Sequence, residues 1–293
     1  MMEKIKNFRV WLYFIPIIVS LPSVIIGGIA MDVNNIPGIY IILNAACLII
    51  GWIVSCFALS IKVKADKRGT YITMIMSLIL VLYALTFIDS GVDSVHRWLS
   101  LGPISLYISS IFAPILIIGL WSLLEKNKYL LAGANTVIVA AILFLQPDAS
   151  QLTAFAIPMM IIFFIKSNKK IPTCFIIGIL ILFVIISWIN LDILPPVIYV
   201  EDIVGMVMDM GIIWSVLGIA ALILPPIPFF ILPTSKYRVV SACLGLYYAI
   251  FIVSTFFGNF PVPLMGYGIS PIIGYLIAIT WLLKTGETGV KAN

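Results

Sequence analysis

The chain is divided into apolar runs close to the length that crosses a bilayer. Ten can be drawn, at about 10–30, 38–61, 71–88, 105–124, 129–146, 149–165, 171–189, 210–232, 239–257 and 268–283. A helix crosses ~30 Å of hydrocarbon in about 20 residues, whereas strands of a membrane barrel alternate apolar and polar residues. These runs are apolar on every face, so helices are the economical solution. The expectation is an all-α integral membrane protein of about ten transmembrane helices, forming a single polytopic domain over residues 1–293. Only 10% of the residues are charged, against about 25% in soluble domains. The first run, Val10–Ala30, is too long for the apolar region of a cleavable signal and reads as a span.

Charge fixes the expected orientation. With both termini cytoplasmic, the inner segments collect sixteen of the 17 basic residues, and the outer segments hold eight of the 12 acids. Every inner segment in turn obeys the positive-inside rule. The formal net charge of +5 is therefore explained by membrane topology, and no nucleic-acid partner is implied. Arg97 is the single outer cation. The four cysteines, Cys47, Cys56, Cys174 and Cys243, lie inside apolar runs without C-x-x-C spacing and read as small hydrophobes. Prolines in "LPPIPFFILP", 224–233, predict a kink or unwinding in the eighth span, and Pro114 and Pro158 predict bends in the fourth and sixth.

Four outer segments carry more chemistry than a connector needs. "SVHRWLSLGPISL", 94–106, places the only histidine, His96, beside Arg97 and Trp98. One reading is an interfacial loop, with Trp98 at headgroup level and Arg97 snorkelling; the other is an anion site, because a guanidinium offers a planar fork of donors to phosphate oxygens. "LQPDASQ", 145–151, puts Gln146 and Asp148 at a tight polar turn. "WINLDILPPVIYVEDIVGMVMDMG", 188–211, carries four acids in an apolar setting and is expected to lie against the bundle. "GNFPVPLMGYGISPIIG", 258–274, is dense in Gly and Pro, which predicts irregular backbone buried in protein or lining a cavity.

In this order the four segments resemble the SEDS family (shape, elongation, division and sporulation), which includes the rod-shape and septal cell-wall polymerases. "HRWLSLGPISL" is similar to that family's R-W-I-x-L-G segment, and "LQPDASQLTAF" to Q-P-D-L-G-T followed by an apolar run. "LPPVIYVEDIVGMVMDMGIIWSVLGI" resembles L-P-x-x-x-T-D-F-I-F-A-V-I-x-E-E-L-G, and "PVPLMGYGISPIIGYL" resembles L-P-F-I-S-Y-G-G-S-S-L. The resemblance spans nearly the whole chain and implies a SEDS-like bundle that joins the disaccharide units of lipid II at the outer face. The substrate would be lipid II or another undecaprenyl-linked precursor, and the partners membrane lipid and a class B penicillin-binding protein. Such a transfer needs a carboxylate to take the proton of the attacking hydroxyl, and positive charge from Arg, Lys or a divalent cation to meet the departing pyrophosphate. The cofactor is left open. The resemblance places catalysis on Asp202 or Glu201, and substrate binding on Arg97, Trp98, Gln146, Asp148, Tyr267 and Ser270.

This chain departs from the family pattern at several positions. The family's essential aspartate falls on Val200, with Glu201 and Asp202 one and two residues later; Asp202 is favoured because an apolar residue follows it, as in D-F. The intramembrane Glu and Lys of the family's fourth span fall on Ser110 and Ala113. Ser150 and Gln151 replace a glycine and a threonine, and the last turn reads "GYGIS", Gly266 to Ser270. Three functions stay open: a glycan polymerase, a catalytically degenerate relative that binds the precursor or a penicillin-binding protein, and a lipid flippase or small-solute transporter.

Overall fold

A computed structural model describes residues 2–61, 68–89, 91–92, 95–102, 104–192 and 194–290. Lys62, Lys64, Asp66, Lys67, Asp93 and Lys291, all counted in the charge pattern, lie outside the described residues. The chain is a helical multi-pass membrane bundle. Its helices are α1 (Met2–Val33), α2 (Gly38–Ser60), α3 (Arg68–Leu85), α4 (Ile108–Glu125), α5 (Tyr129–Leu145), α6 (Ala149–Lys166) and α7 (Lys170–Ile189), then α8 (Ile203–Asp209), α9 (Ile212–Ile223), α10 (Ile227–Ile231), α11 (Arg238–Ser254) and α12 (Ile269–Val290). Among the described residues, seven helices are long and apolar enough to cross a membrane, and the helical stretches Thr73–Leu85, Tyr129–Leu145 and Ile212–Ile223 are apolar but shorter.

The most enclosed helices are α4 and α6, and α2 and α7 are the most lipid-facing. The core runs through α4, α6, α11 and α12, where Leu116, Leu120, Phe155, Phe163, Tyr247 and Tyr275 are sealed from solvent. A second cluster joins α1, α8 and α9 through Met31, Ile203, Val207 and Leu222. The acidic connection that leads into α8 therefore lies against the bundle, as its apolar content predicts. Gly274 lets α12 touch α4: an added Cβ there would collide with the Ser110 carbonyl.

The predicted eighth span is two helices. Pro225 and Pro226 lack N–H donors, so the helix stops after Ile223 and restarts at Ile227. The Pro225 carbonyl is satisfied across the bundle by the Tyr275 hydroxyl, at 3.0 Å. Pro114 and Pro158, by contrast, sit within the unbroken spans of α4 and α6.

The predicted start of the fourth span, at about 105, is corrected to Ile108. Residues before it form an antiparallel hairpin, β1 (Trp98–Leu101) and β2 (Ile104–Tyr107), turning through Gly102 at a φ of 64°. Residues 104–107 join a ladder because their backbone groups find partners on β1, and a positive φ costs glycine little.

At the opposite end of the bundle the basic segments make their own contacts. Lys166 pairs with Glu125 at 2.5 Å, and Lys284 donates to the carbonyls of Ala58, Leu59 and Ile61. A cation there satisfies the open carbonyls of α2 and meets the negative end of its dipole. Lys284→Met keeps the apolar stem and removes the charge, so it is expected to lower stability by about 1–2 kcal/mol. Thermal unfolding in detergent measures this.

Candidate functional site

The four connecting segments singled out in the sequence meet around Arg97. The hairpin brings Arg97 in just before β1, where it is 2% exposed. Its Nη2 donates to the Pro147 carbonyl, in the turn between α5 and α6, and forms an ion pair with Asp192, in the connection after α7. The Phe260 ring lies 5.6 Å from the guanidinium carbon. Burial works against the Arg97 charge, but Asp148, Tyr107 and Asp192 more than compensate and hold its pKa above the ordinary arginine value. Its Nε is buried and makes no hydrogen bond.

The connection leading to α8 is pinned at both ends. At the near end, Asp192 Oδ1 accepts from the Leu194 N–H at 3.1 Å, and Asn259 donates to the Leu194 carbonyl at 3.1 Å. At the far end, the Tyr199 carbonyl accepts from the Tyr267 N–H at 2.8 Å and the Val200 carbonyl from the Val262 N–H at 3.0 Å. Gly266 lies so close to the Val200 carbonyl that a side chain there would collide with it. This contact is what the irregular, buried "PVPLMG" backbone provides. It fixes Val200, and so the two carboxylates that follow.

Those carboxylates diverge. Glu201 lines a cavity of about 580 Å³, together with Asp89, Arg97, Trp98, Asp192 and Asn259. Asp202 immediately precedes α8, is exposed, and is not part of the cavity wall. Glu201 Oε2 accepts from the Val197 N–H at 2.7 Å. Burial pushes the Glu201 carboxyl up to about 7; backbone donors and Arg97 oppose the rise, and Asp192 adds to it. A carboxyl poised there can exchange a proton near neutrality.

Of the other residues read as substrate-binding, Trp98 lines the cavity, and its ring centre is 6.3 Å from that of Tyr107. Gln146, Asp148 and Ser270 are buried beneath it. Asp148 accepts from the Tyr107 hydroxyl at 2.6 Å and caps α6 through the Gln151 N–H at 3.1 Å. Burial raises the Asp148 pKa, although the Arg97 charge and these donors oppose it. Gln146 donates to Thr86 Oγ1 at 2.7 Å, and Ser270 Oγ accepts from the Tyr107 N–H at 2.9 Å. Tyr267 sits beside Tyr40 and Tyr199, at ring separations of 4.6 and 6.1 Å. The structure thus brings Glu201, Arg97 and Trp98 together and gives Asp148, Gln146 and Ser270 supporting places. Asp192 is the site residue that the sequence reading missed.

Among the described residues, no three His, Cys, Asp or Glu side chains converge as a metal site. Among the described residues that line the cavity, the positive charge available to an anion is that of Arg97.

No protein-family model and no curated protein sequence matches the chain. Solved structures do. The rod-shape-determining protein RodA of Thermus thermophilus aligns with 94% of this chain and 96% of its own, at 16% identity and a TM-score of 0.62. An aspartate-to-alanine variant of that RodA aligns at 14% identity with a TM-score of 0.74, covering 94% of this chain and 97% of its own. A chain from a structure described as a peptidoglycan synthase complex, with coordinated polymerisation and crosslinking, aligns at 16% identity and a TM-score of 0.71, covering 93% and 96%. The chain has the RodA fold, in agreement with the SEDS-like bundle implied by its four outer segments.

Proposed function

We propose that this chain polymerises lipid II into peptidoglycan glycan strands at the outer face of the bacterial cytoplasmic membrane, with both termini cytoplasmic. The observation that carries this reading is the convergence of Glu201 and Arg97 on one outward cavity within a RodA fold. Glu201 takes the proton of the acceptor sugar hydroxyl as that oxygen bonds to the anomeric carbon of the donor. The bond from that carbon to the pyrophosphate oxygen breaks, and the electron pair leaves on undecaprenyl pyrophosphate. Arg97 is the cation lining the cavity that can meet this charge. Trp98 offers an apolar wall. A class B penicillin-binding protein is the proposed partner, by analogy with the synthase complex of the same fold.

A second reading is supported by α4. Ser110 and Ala113, at the family's intramembrane Glu and Lys positions, are neutral and buried, and α4 is packed tightly against Gly274. Loss of two such charges suits a relative that binds the precursor or the partner without joining sugars. The purified chain in detergent, given labelled lipid II with and without its penicillin-binding protein, separates the two. Glycan strands are expected; retained lipid II with no product under either condition supports the second reading.

A further inference from the structure

We infer that Asp192 is a displaceable counter-ion: a pyrophosphate entering the cavity takes its place on Arg97 and loosens the near end of the connection that leads to Glu201. This rests on the cavity being the precursor site, and it adds a positioning role for a residue that neither the sequence pattern nor the proposed chemistry assigns.

Two observations point to the exchange. Arg97 is the cation available to an anion in this cavity, yet in the ligand-free fold its Nη2 is already held by Asp192 and the Pro147 carbonyl. Its Nε–H is buried with no acceptor, so the guanidinium has donor capacity that its present partners do not use. A carboxylate offers two oxygens, whereas a pyrophosphate offers more acceptors and more charge, so the incoming group can outbid the resident one. Arg97 keeps a second compensating charge throughout, because the buried Asp148 also acts on it.

Displacing Asp192 has a mechanical consequence. The stretch from Leu194 to Ile198 lacks regular structure, and Pro195, Pro196, Val197 and Ile198 are exposed. Asp192 ties its near end to Arg97 and accepts from the Leu194 N–H, and the Asn259 amide holds the Leu194 carbonyl as a second, weaker tether. Tyr199 and Val200 are fixed separately, by Tyr267 and Val262. Freeing Asp192 therefore loosens the near wall of the cavity while the backbone before Glu201 stays in place. A ligand moves an equilibrium only by binding one state more tightly, and here the guanidinium supplies that difference.

The test uses the full chain in detergent, with farnesyl pyrophosphate as the probe. Asp192→Asn removes the competitor and is expected to tighten binding by roughly three- to tenfold, with Arg97→Gln weakening it by about tenfold or more. In the Arg97→Gln background, Asp192→Asn should have no further effect. In the unmodified chain, probe binding should speed hydrogen exchange at the Leu194 amide, which donates to Asp192, and leave that of Val197, held by Glu201, unchanged. Binding that is unchanged or weaker in a folded Asp192→Asn chain overturns the inference, as does an Asp192→Asn effect that survives without Arg97. Should Asp192→Asn fail to fold, the exchange measurement decides alone: a bound probe with no acceleration, or no binding at all, also overturns it. Glycan strand formation is not read in this experiment, so a chain that makes no strands can still pass it.

Discussion

Replacing Arg97 with alanine is expected to cost about 3–5 kcal/mol of folding free energy, the range for removing one partner of a buried ion pair. The loss is not symmetric between the partners. Arg97→Ala strands two carboxylates, Asp192 at 8% side-chain exposure and Asp148 at 0%, and also leaves the Pro147 carbonyl without its donor. Asp192→Asn keeps an acceptor for the guanidinium and leaves Arg97 compensated by Asp148, so it should cost nearer 1–2 kcal/mol. Adding Asp192→Asn to Arg97→Ala should recover part of the loss and not all, because Asp148 remains. Unfolding in detergent of the two single variants and the double variant measures the coupling directly. Equal costs for the two single substitutions would mean that Asp148 does not share the charge.

The same cluster shows what a single sequence discloses and what it hides. Spans are written locally, in runs of apolar residues, and a break in one is written in adjacent prolines; hence α1 to α7 and the interruption before α10 were legible. The partners of Arg97 are not local. Asp192 lies 95 residues away and Pro147 lies 50 away, so nothing near Arg97 signals that it is buried instead of snorkelling. Glu201 and Asp202 are neighbours in sequence, and periodicity cannot separate them where the backbone is a turn. Their divergence is set by Val200, which is held from the other side by Val262 and Gly266. The hairpin did leave a trace. "WLSL" and "ISLY" read nearly as mirror images about Gly102 and Pro103, matching the observed pairs Trp98 with Tyr107, Leu99 with Leu106 and Ser100 with Ser105. That symmetry is hidden by the apolar run of α4 that follows at once.

Glu201→Gln is expected to lower strand formation by about 10²–10⁴-fold, the usual contribution of a positioned general base, with the fold intact because the amide can still accept from Val197. Asp202→Asn, on an exposed residue outside the cavity wall, should change the rate by less than about threefold. The pH profile gives a second and sharper readout. The base must be ionised to accept a proton, and burial places the Glu201 pKa at about 7, so activity should rise through pH 7 and level off above it. Stability should run the other way. The folded chain holds the Glu201 proton where the unfolded chain has lost it, so stability falls as pH climbs from the ordinary glutamate range to about 7. Glu201→Gln should remove both slopes together. The groups facing this carboxyl set the balance: Arg97 and the Val197 N–H lower its pKa, and Asp192 raises it. If Asp192 is displaced when pyrophosphate binds, the carboxylate that raises the pKa moves away and the bound anion takes its place. The inflection would then depend on whether lipid II is saturating. A profile whose inflection stays near 4.5, or persists in Glu201→Gln, would assign the proton to a different group.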